Sequence, residues 1–281
     1  MITIQLALVS ETNQVPFSEV AKISAALQKQ ITRDFSPVWN HAATIDSFAA
    51  LNDIPIGYWP IIIRDDIGFE GAAGIHLDSN NQPYALVQAG SNIPLTCSHE
   101  CLEMLADPFG NRLMASDSIK PGQGRVNYLV EVCDPSEAVK FGYSVNGMIL
   151  SDFYTPSYFN PVASAGVQYS FTGAIKKPKQ ILPGGYISWM VPETQEWFQA
   201  FNFGDGLEFK SLGRLTEKNK GSWRETIDSL SFASMKPLIG KEILPSLENV
   251  SLFASKIITE AANGRGNQLA RDIENLLANL R

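Results

Sequence analysis

From Ile2 to Val9 the chain alternates with the two-residue period of a first strand, and Asn13 to Pro16 reads as a turn leading into a helix with Pro16 near its first position. Val20, Ile23, Leu27 and Ile31 recur at helical spacing and leave Lys22, Lys29 and Arg33 for water. This long helix is expected to reach Phe35, with Arg33-Asp-Phe-Ser-Pro-Val-Trp39 closing it. His41 falls in a connection and reads as structural; a short segment from Ala43 to Leu51 follows, and Ile61-Ile-Ile-Arg64 reads as a buried strand. A hairpin is expected between Gly71 and Gly90, with Ala73–Leu77 and Tyr84–Gln88 as strands around a polar turn from Asp78 to Pro83.

The hairpin feeds into a short helix from Pro94, ended by Pro108, which biases Asp107 out of the α region. Beyond it, Phe109 to Gly124 looks like loop, Tyr128-Leu-Val-Glu-Val-Cys-Asp-Pro135 like a strand running into a turn, and Tyr143 to Leu150 like a hairpin through Asn146-Gly147. A further hairpin spans Pro183 to Gln199, with Tyr186, Ser188 and Met190 facing one way and Ile187 and Trp189 the other. From Ser222 the pattern turns helical. Leu247, Val250, Ala254, Ile257 and Ile258 make one apolar face, Asn263-Gly-Arg-Gly266 breaks it, and Leu269, Ile273, Leu276 and Leu280 form a narrow seam suited to packing on the domain or pairing with another helix.

These elements predict an α+β fold in three segments: residues 1–160 as a metal-binding domain, 161–221 as a β-rich extension packed on it, and 222–281 as a C-terminal helical segment.

The candidate chemistry sits on the Pro94 helix. Helical geometry puts His99 and Glu103, four apart, on one face with Glu100 one step round, and sends Cys97 and Cys101 to the opposite side. A His-Glu pair with a second ligand four residues after the His is the layout of a zinc-hydrolase helix, in which the Glu beside the first ligand is the general base. Here the second ligand would be the carboxylate of Glu103, which hardens the ligand set and makes calcium or manganese an alternative to zinc. An amphipathic helix with a solvated acidic face is the plain alternative. Asp107, eight residues from His99, lies about 12 Å along a straight helix, too far to share an ion, so it suits a supporting role with Arg112 as its nearest cationic partner.

Glu131 and Asp134 bring two more carboxylates, either one a candidate third ligand or both part of a solvated turn. His76, on the strand before the helix, is a candidate neighbour of the site. Tyr154 or Tyr158 could offer a hydroxyl to an oxyanion, and aromatic packing is the competing role for both.

Composition narrows the rest. With 281 residues, 44% hydrophobic and 18% charged, the chain can bury a sizeable core, and a net charge of −7 argues against nucleic acid as a partner. The N-terminus lacks a basic leader and no apolar run approaches a membrane span, so a soluble, cytoplasmic protein without a membrane partner is expected. Three cysteines make no disulfide framework and read as small buried hydrophobes.

The run Ser98-His-Glu-Cys-Leu-Glu-Met-Leu-Ala-Asp-Pro108, followed by Glu131-Val-Cys-Asp134, resembles the S-H-E-x-x-E-x-x-x-D-P helix and later E-x-x-D segment of zincin-like bacterial metallopeptidases and, more distantly, of the plant phosphate-induced (exordium-like) family. The resemblance covers roughly Met1 to Pro156. It implies a zincin-like mixed sheet with a long N-terminal helix and an active-site helix, and a metal, zinc in the first instance, held by His99, Glu103 and Asp134. It also implies Glu100 as the base for a metal-activated water attacking a peptide or amide carbonyl of a peptide or protein substrate. A zinc peptidase usually aligns such a substrate as an added strand on the sheet edge beside this helix. The second hypothesis is a catalytically silent zincin-like module that binds a structural cation or a peptide and acts through its C-terminal helices, in a homo-oligomer or with a protein partner.

Overall fold

The N-terminal alternation becomes an inner strand of a five-stranded sheet, in a computed structural model that describes residues 3–69, 71–202, 206–215 and 222–231. That strand, β1 (Ile4–Ser10), pairs in parallel with β2 (Ala43–Phe48) and β3 (Trp59–Arg64). The sheet is completed by β4 (Gly74–Ser79) and β5 (Gln82–Gln88) in the order β2-β1-β3-β5-β4, with β4 antiparallel and at the edge. Both faces are covered, so Leu6, Ala7, Leu8 and Val9 are all fully buried. The period of two sorts them: Leu6, Leu8, Ile61, Ile63, Ala85 and Val87 face the main core, while Val9, Ile62, Ile75, Leu77 and Leu86 form a smaller cluster on the other side.

The main-core face is covered by α1 (Phe17–Lys29) and α3 (Ile93–Ala106). The helical run closes over Arg33 to Trp39 as expected, but not as one continuous α-helix. It widens into a π-helical turn over Gln30–Phe35 and continues as α2 (Ser36–Trp39), ending at Asn40 in the left-handed conformation with φ 56°. The extra residue turns Gln30 wholly inward, where its amide donates to the Ser151 carbonyl at 3.0 Å and to the Tyr143 hydroxyl at 3.1 Å and accepts from Ser98 Oγ at 2.7 Å. A helix widened in this way is tied directly to the residue before His99.

The β4–β5 turn is shorter than the polar stretch suggested, because Asn80 and Asn81 both take positive φ, 52° and 62°, and close a two-residue hairpin. Asn146 and Gly147 do the same between β8 (Tyr143–Val145) and β9 (Met148–Leu150). The region expected to be loop from Phe109 to Gly124 instead contains β6 (Leu113–Asp117), which pairs with β7 (Arg125–Leu129). Its sequence, Leu-Met-Ala-Ser-Asp, has little strand propensity; pairing supplies what the local pattern lacks. With β10 (Tyr186–Val191), β11 (Glu196–Phe201) and β12 (Glu208–Arg214) these strands form a second sheet, antiparallel, in the order β12-β11-β10-β7-β6.

The described residues all fall in one compact unit, residues 1–238, and the fold is mixed α+β. Residues 223–231 form a helix, α4, the described part of the expected helical tail. The apolar face from Leu247 to Ile258 and the seam from Leu269 to Leu280 lie outside the described residues. Among the described residues no helix is long and apolar enough to cross a membrane.

Candidate metal centre

Helix α3 starts at Asn92, held left-handed at φ 65°, with Pro94 in its first turn, and ends at Asp107 before Pro108. Leu95, Leu102, Met104, Leu105 and both cysteines of the helix are buried. So are its acids: Glu100 is 3% exposed and Glu103 fully buried, so the expected alternative of a solvated acidic face does not apply. The helix is encased.

His99 Nε2 lies 3.2 Å from Glu103 Oε2 and 3.2 Å from Asp134 Oδ1. One turn of helix provides the first contact. The second comes from the chain after β7, where Asp134 begins a 3-10 turn, Asp134–Ser136, that Gly185 allows β10 to approach; a Cβ there would lie 2.6 Å from the Asp134 carbonyl oxygen. Glu103 is fixed at both oxygens, since Oε1 accepts from the Cys133 backbone N–H at 3.1 Å and Oε2 accepts from Arg224 Nη1 at 2.8 Å.

The pattern of charges follows from this. Burial by itself would push Glu103 up, but His99 and Arg224 outweigh it and hold the carboxyl well below its usual range. Asp134, with burial and the Glu103 charge against it and His99 alone in its favour, is pushed well above its usual range. For His99 burial works downward, yet Glu103 and Asp134 overcome it and raise the imidazole. Glu137 joins this group: carboxylate oxygens of Asp134 and Glu137 lie within 4.8 Å of each other and of a His99 ring nitrogen, and burial raises Glu137 to about 7. No residue spacing pointed to Glu137.

The other candidates divide clearly. His76 on β4 places Nδ1 3.6 Å from Glu100 Oε2 and 3.8 Å from Glu103 Oε2, while Nε2 lies 3.2 Å from the Asp107 carbonyl. A carbonyl only accepts, so that contact puts the proton of a neutral His76 on Nε2 and turns a bare Nδ1 toward the carboxylates. Asp107 supports this from a distance: its side chain accepts from the backbone N–H groups of Asn111 at 3.0 Å and Arg112 at 2.7 Å. The Arg112 guanidinium, named above as the partner of Asp107, donates instead to the Ala106 carbonyl at 2.8 Å and lies over the Trp39 ring. Tyr154 and Tyr158 are both buried and stacked, with centroids 4.4 Å apart. The Tyr158 hydroxyl donates to the Gln180 carbonyl at 3.2 Å, whereas the Tyr154 hydroxyl has no hydrogen-bond partner among the described residues.

Glu131 is bound by Arg224, whose Nη1 donates to its Oε2; Arg224 Nε also lies 3.2 Å from Asp228 Oδ2. Arg224 comes from α4, and no motif announced it. The only sequence hint is an Arg and an Asp four apart in a helical stretch, the spacing of any surface ion pair.

The donor set fits a cation. Ligands at about 2.0–2.2 Å from a tetrahedral ion stand about 3.3–3.6 Å from one another, close to the His99–Glu103 and His99–Asp134 separations. Among the described residues, Glu100 Oε2, Glu131 Oε1 and His76 Nδ1 are buried without a hydrogen-bond partner, which is costly for acceptors taken out of water unless a proton or a metal meets them. Among the described residues the donors fall into four groups of three whose ligand atoms lie within 4.8 Å: His99 with Glu103 and Cys133, His76 with Glu100 and Glu103, His99 with Asp134 and Glu137, and Glu103 with Glu131 and Asp134.

Comparison of the chain with protein-family models, curated proteins and solved structures gave no match.

Proposed function

We propose that this chain is a metal-dependent hydrolase of peptide or amide bonds built on a zincin-like arrangement, with His99, Glu103 and Asp134 holding the ion and Glu100 acting as base. The observation that carries the reading is the His99 imidazole set between two buried carboxylates at 3.2 Å each. Three nitrogen and oxygen donors suit zinc and leave a position open for substrate or water. Such an ion supplies Lewis-acid polarisation of a carbonyl and makes water more acidic.

The chain's own groups take the remaining roles. Glu100 follows His99 on α3, and its Oε2 has no hydrogen bond among the described residues and is available to take a proton. Tyr154 offers an uncommitted hydroxyl that could donate to a developing oxyanion. Edge strand β4 carries Gly74 against Glu100 and His76 beside it, so a peptide added as a further strand on β4 would pass along this side of the helix.

A second reading is favoured by one contact. Arg224 binds Glu103 and Glu131 from within, as in a closed ionic network, which suits a catalytically silent module holding a structural cation or a peptide.

Elemental analysis and peptide-library hydrolysis separate the two. Protein purified without added metal is expected to carry about one zinc per chain, lost in His99→Ala. Glu100→Gln is expected to keep the zinc and lose turnover; hydrolysis that survives in Glu100→Gln sinks the assignment of the base, and a wild type with no turnover on any peptide leaves the silent module.

A further inference from the structure

Glu103 is the most heavily committed of the candidate ligands. Its Oε1 accepts from the Cys133 backbone N–H at 3.1 Å, and its Oε2 accepts from Arg224 Nη1 at 2.8 Å while lying 3.2 Å from His99 Nε2. An ion reaching that oxygen would stand against a guanidinium that is 3% exposed and does not give up its proton. Three of the four groups of neighbouring donors contain Glu103 and carry the same conflict. The fourth is His99 with Asp134 and Glu137.

The 3-10 turn Asp134–Ser136 explains why these two acids meet. Side chains three apart eclipse in such a turn, and Glu137, at φ −65°, closes it three residues after Asp134. The turn is held from the far side: the Pro135 carbonyl accepts from the Leu182 N–H at 2.9 Å, and a Cβ on Gly185 would lie 2.7 Å from the same oxygen. Both carboxylates are thus presented to His99 by one fixed turn, with an oxygen of each within 4.8 Å of a ring nitrogen.

Charge balance points the same way. Arg224 pairs with Glu103, Glu131 and Asp228, and His76 lies beside Glu100. Among the described residues neither Asp134 nor Glu137 pairs with an arginine or a lysine, and Asp134, 1% exposed, has His99 as its one basic neighbour. Two adjacent carboxylates sharing one imidazole are costly in the interior, and a divalent cation relieves the cost. His99 and Glu137 are also both partly exposed, whereas each group built on Glu103 has at most one such member. An ion held by His99, Asp134 and Glu137 therefore has a side open to water or substrate, as a working zinc site requires.

We propose that Glu137 is a ligand of the ion, completing a set with His99 and Asp134, and that Glu103 stands behind this set, held beside the imidazole by Arg224 and the Cys133 N–H. The inference rests on the metal-binding reading given above and moves one of its three ligands. The full chain, stripped with chelator, is titrated calorimetrically with zinc chloride as wild type and Glu137→Gln. An outer-shell residue costs about ten- to a hundredfold in metal affinity, so Glu137→Gln is expected to weaken zinc by about a hundredfold or more. A loss below about tenfold in a folded Glu137→Gln, with zinc bound by wild type, overturns this inference and leaves the metal-binding reading standing. No zinc binding by wild type removes both. A loss between those limits, or a variant that does not fold, is decided by anomalous diffraction from zinc-soaked wild-type crystals. A Glu137 oxygen at about 2.0–2.2 Å from the zinc supports the inference, and Glu103 on the zinc with Glu137 away from it overturns it.

Discussion

Glu103 and Arg224 are 121 residues apart in the chain and 2.8 Å apart in the fold. The contact joins the second candidate ligand of the site helix to a helix that carries no recognisable motif, and it makes the start of that helix part of the centre.

Removing the guanidinium leaves Glu131 and Asp228 buried without their cation and Glu103 with His99 alone. Arg224→Met is therefore expected to lower the stability of the metal-free protein by about 3–5 kcal/mol, the cost of breaking rather than replacing a buried ion pair. Urea denaturation in the presence of chelator measures it. A loss below about 1 kcal/mol, the range of surface ion pairs, would show that water reaches the cluster.

Gly74 is the point where edge strand β4 rests on the proposed base. A Cβ there would lie 2.7 Å from Glu100 Oε1 and 2.8 Å from Glu100 Cγ, both side-chain atoms held in the interior. Gly74→Ala should cost about 1–3 kcal/mol through overpacking. It should also reduce turnover while zinc content stays at the wild-type level. Equal loss of both would place the disturbance at His99 instead.

Gln30 links the π-helical turn to the site helix through Ser98 Oγ at 2.7 Å, and the Ser98 oxygen in turn accepts from the Ser151 backbone N–H at 3.0 Å. Gln30→Leu leaves the Ser151 carbonyl and the Ser98 hydroxyl short of partners in the interior, which should lower stability by about 1–3 kcal/mol. An unchanged urea midpoint would mean that the turn repacks as ordinary α-helix without cost.

His41 gives a pH signature away from the centre. Burial, assisted by the Arg112 charge, lowers its imidazole below the ordinary value, and Nε2 is buried without a hydrogen bond among the described residues. A base with a depressed folded-state pKa binds its proton more readily when unfolded, so its contribution is complete above about pH 6.5 and is lost as pH falls through the folded value. The stability difference between wild type and His41→Gln should shrink in favour of the variant from about pH 7.5 to about pH 5. A difference that stays constant over that range would remove His41 as the group responsible.

What the sequence determined by itself is short-range. Val20, Ile23 and Leu27 set α1, Asn146-Gly147 set a hairpin, and the spacing of four between His99 and Glu103 put both on one face of α3, because helix and turn geometry depend on neighbours a few residues away. The same reasoning failed over residues 113–117, whose strand exists because β7 pairs with it, and at Gln30–Phe35, where burial of one amide among Ser98, Tyr143 and Ser151 widened the helix. Only the tertiary structure separated Asp134, beside His99, from Glu131, bound by Arg224, for the two carboxylates are equivalent in a three-residue pattern. Which cation a buried acid meets is decided by the requirement to neutralise charge taken out of water, and the group that met it here arrived from 93 residues further along the chain.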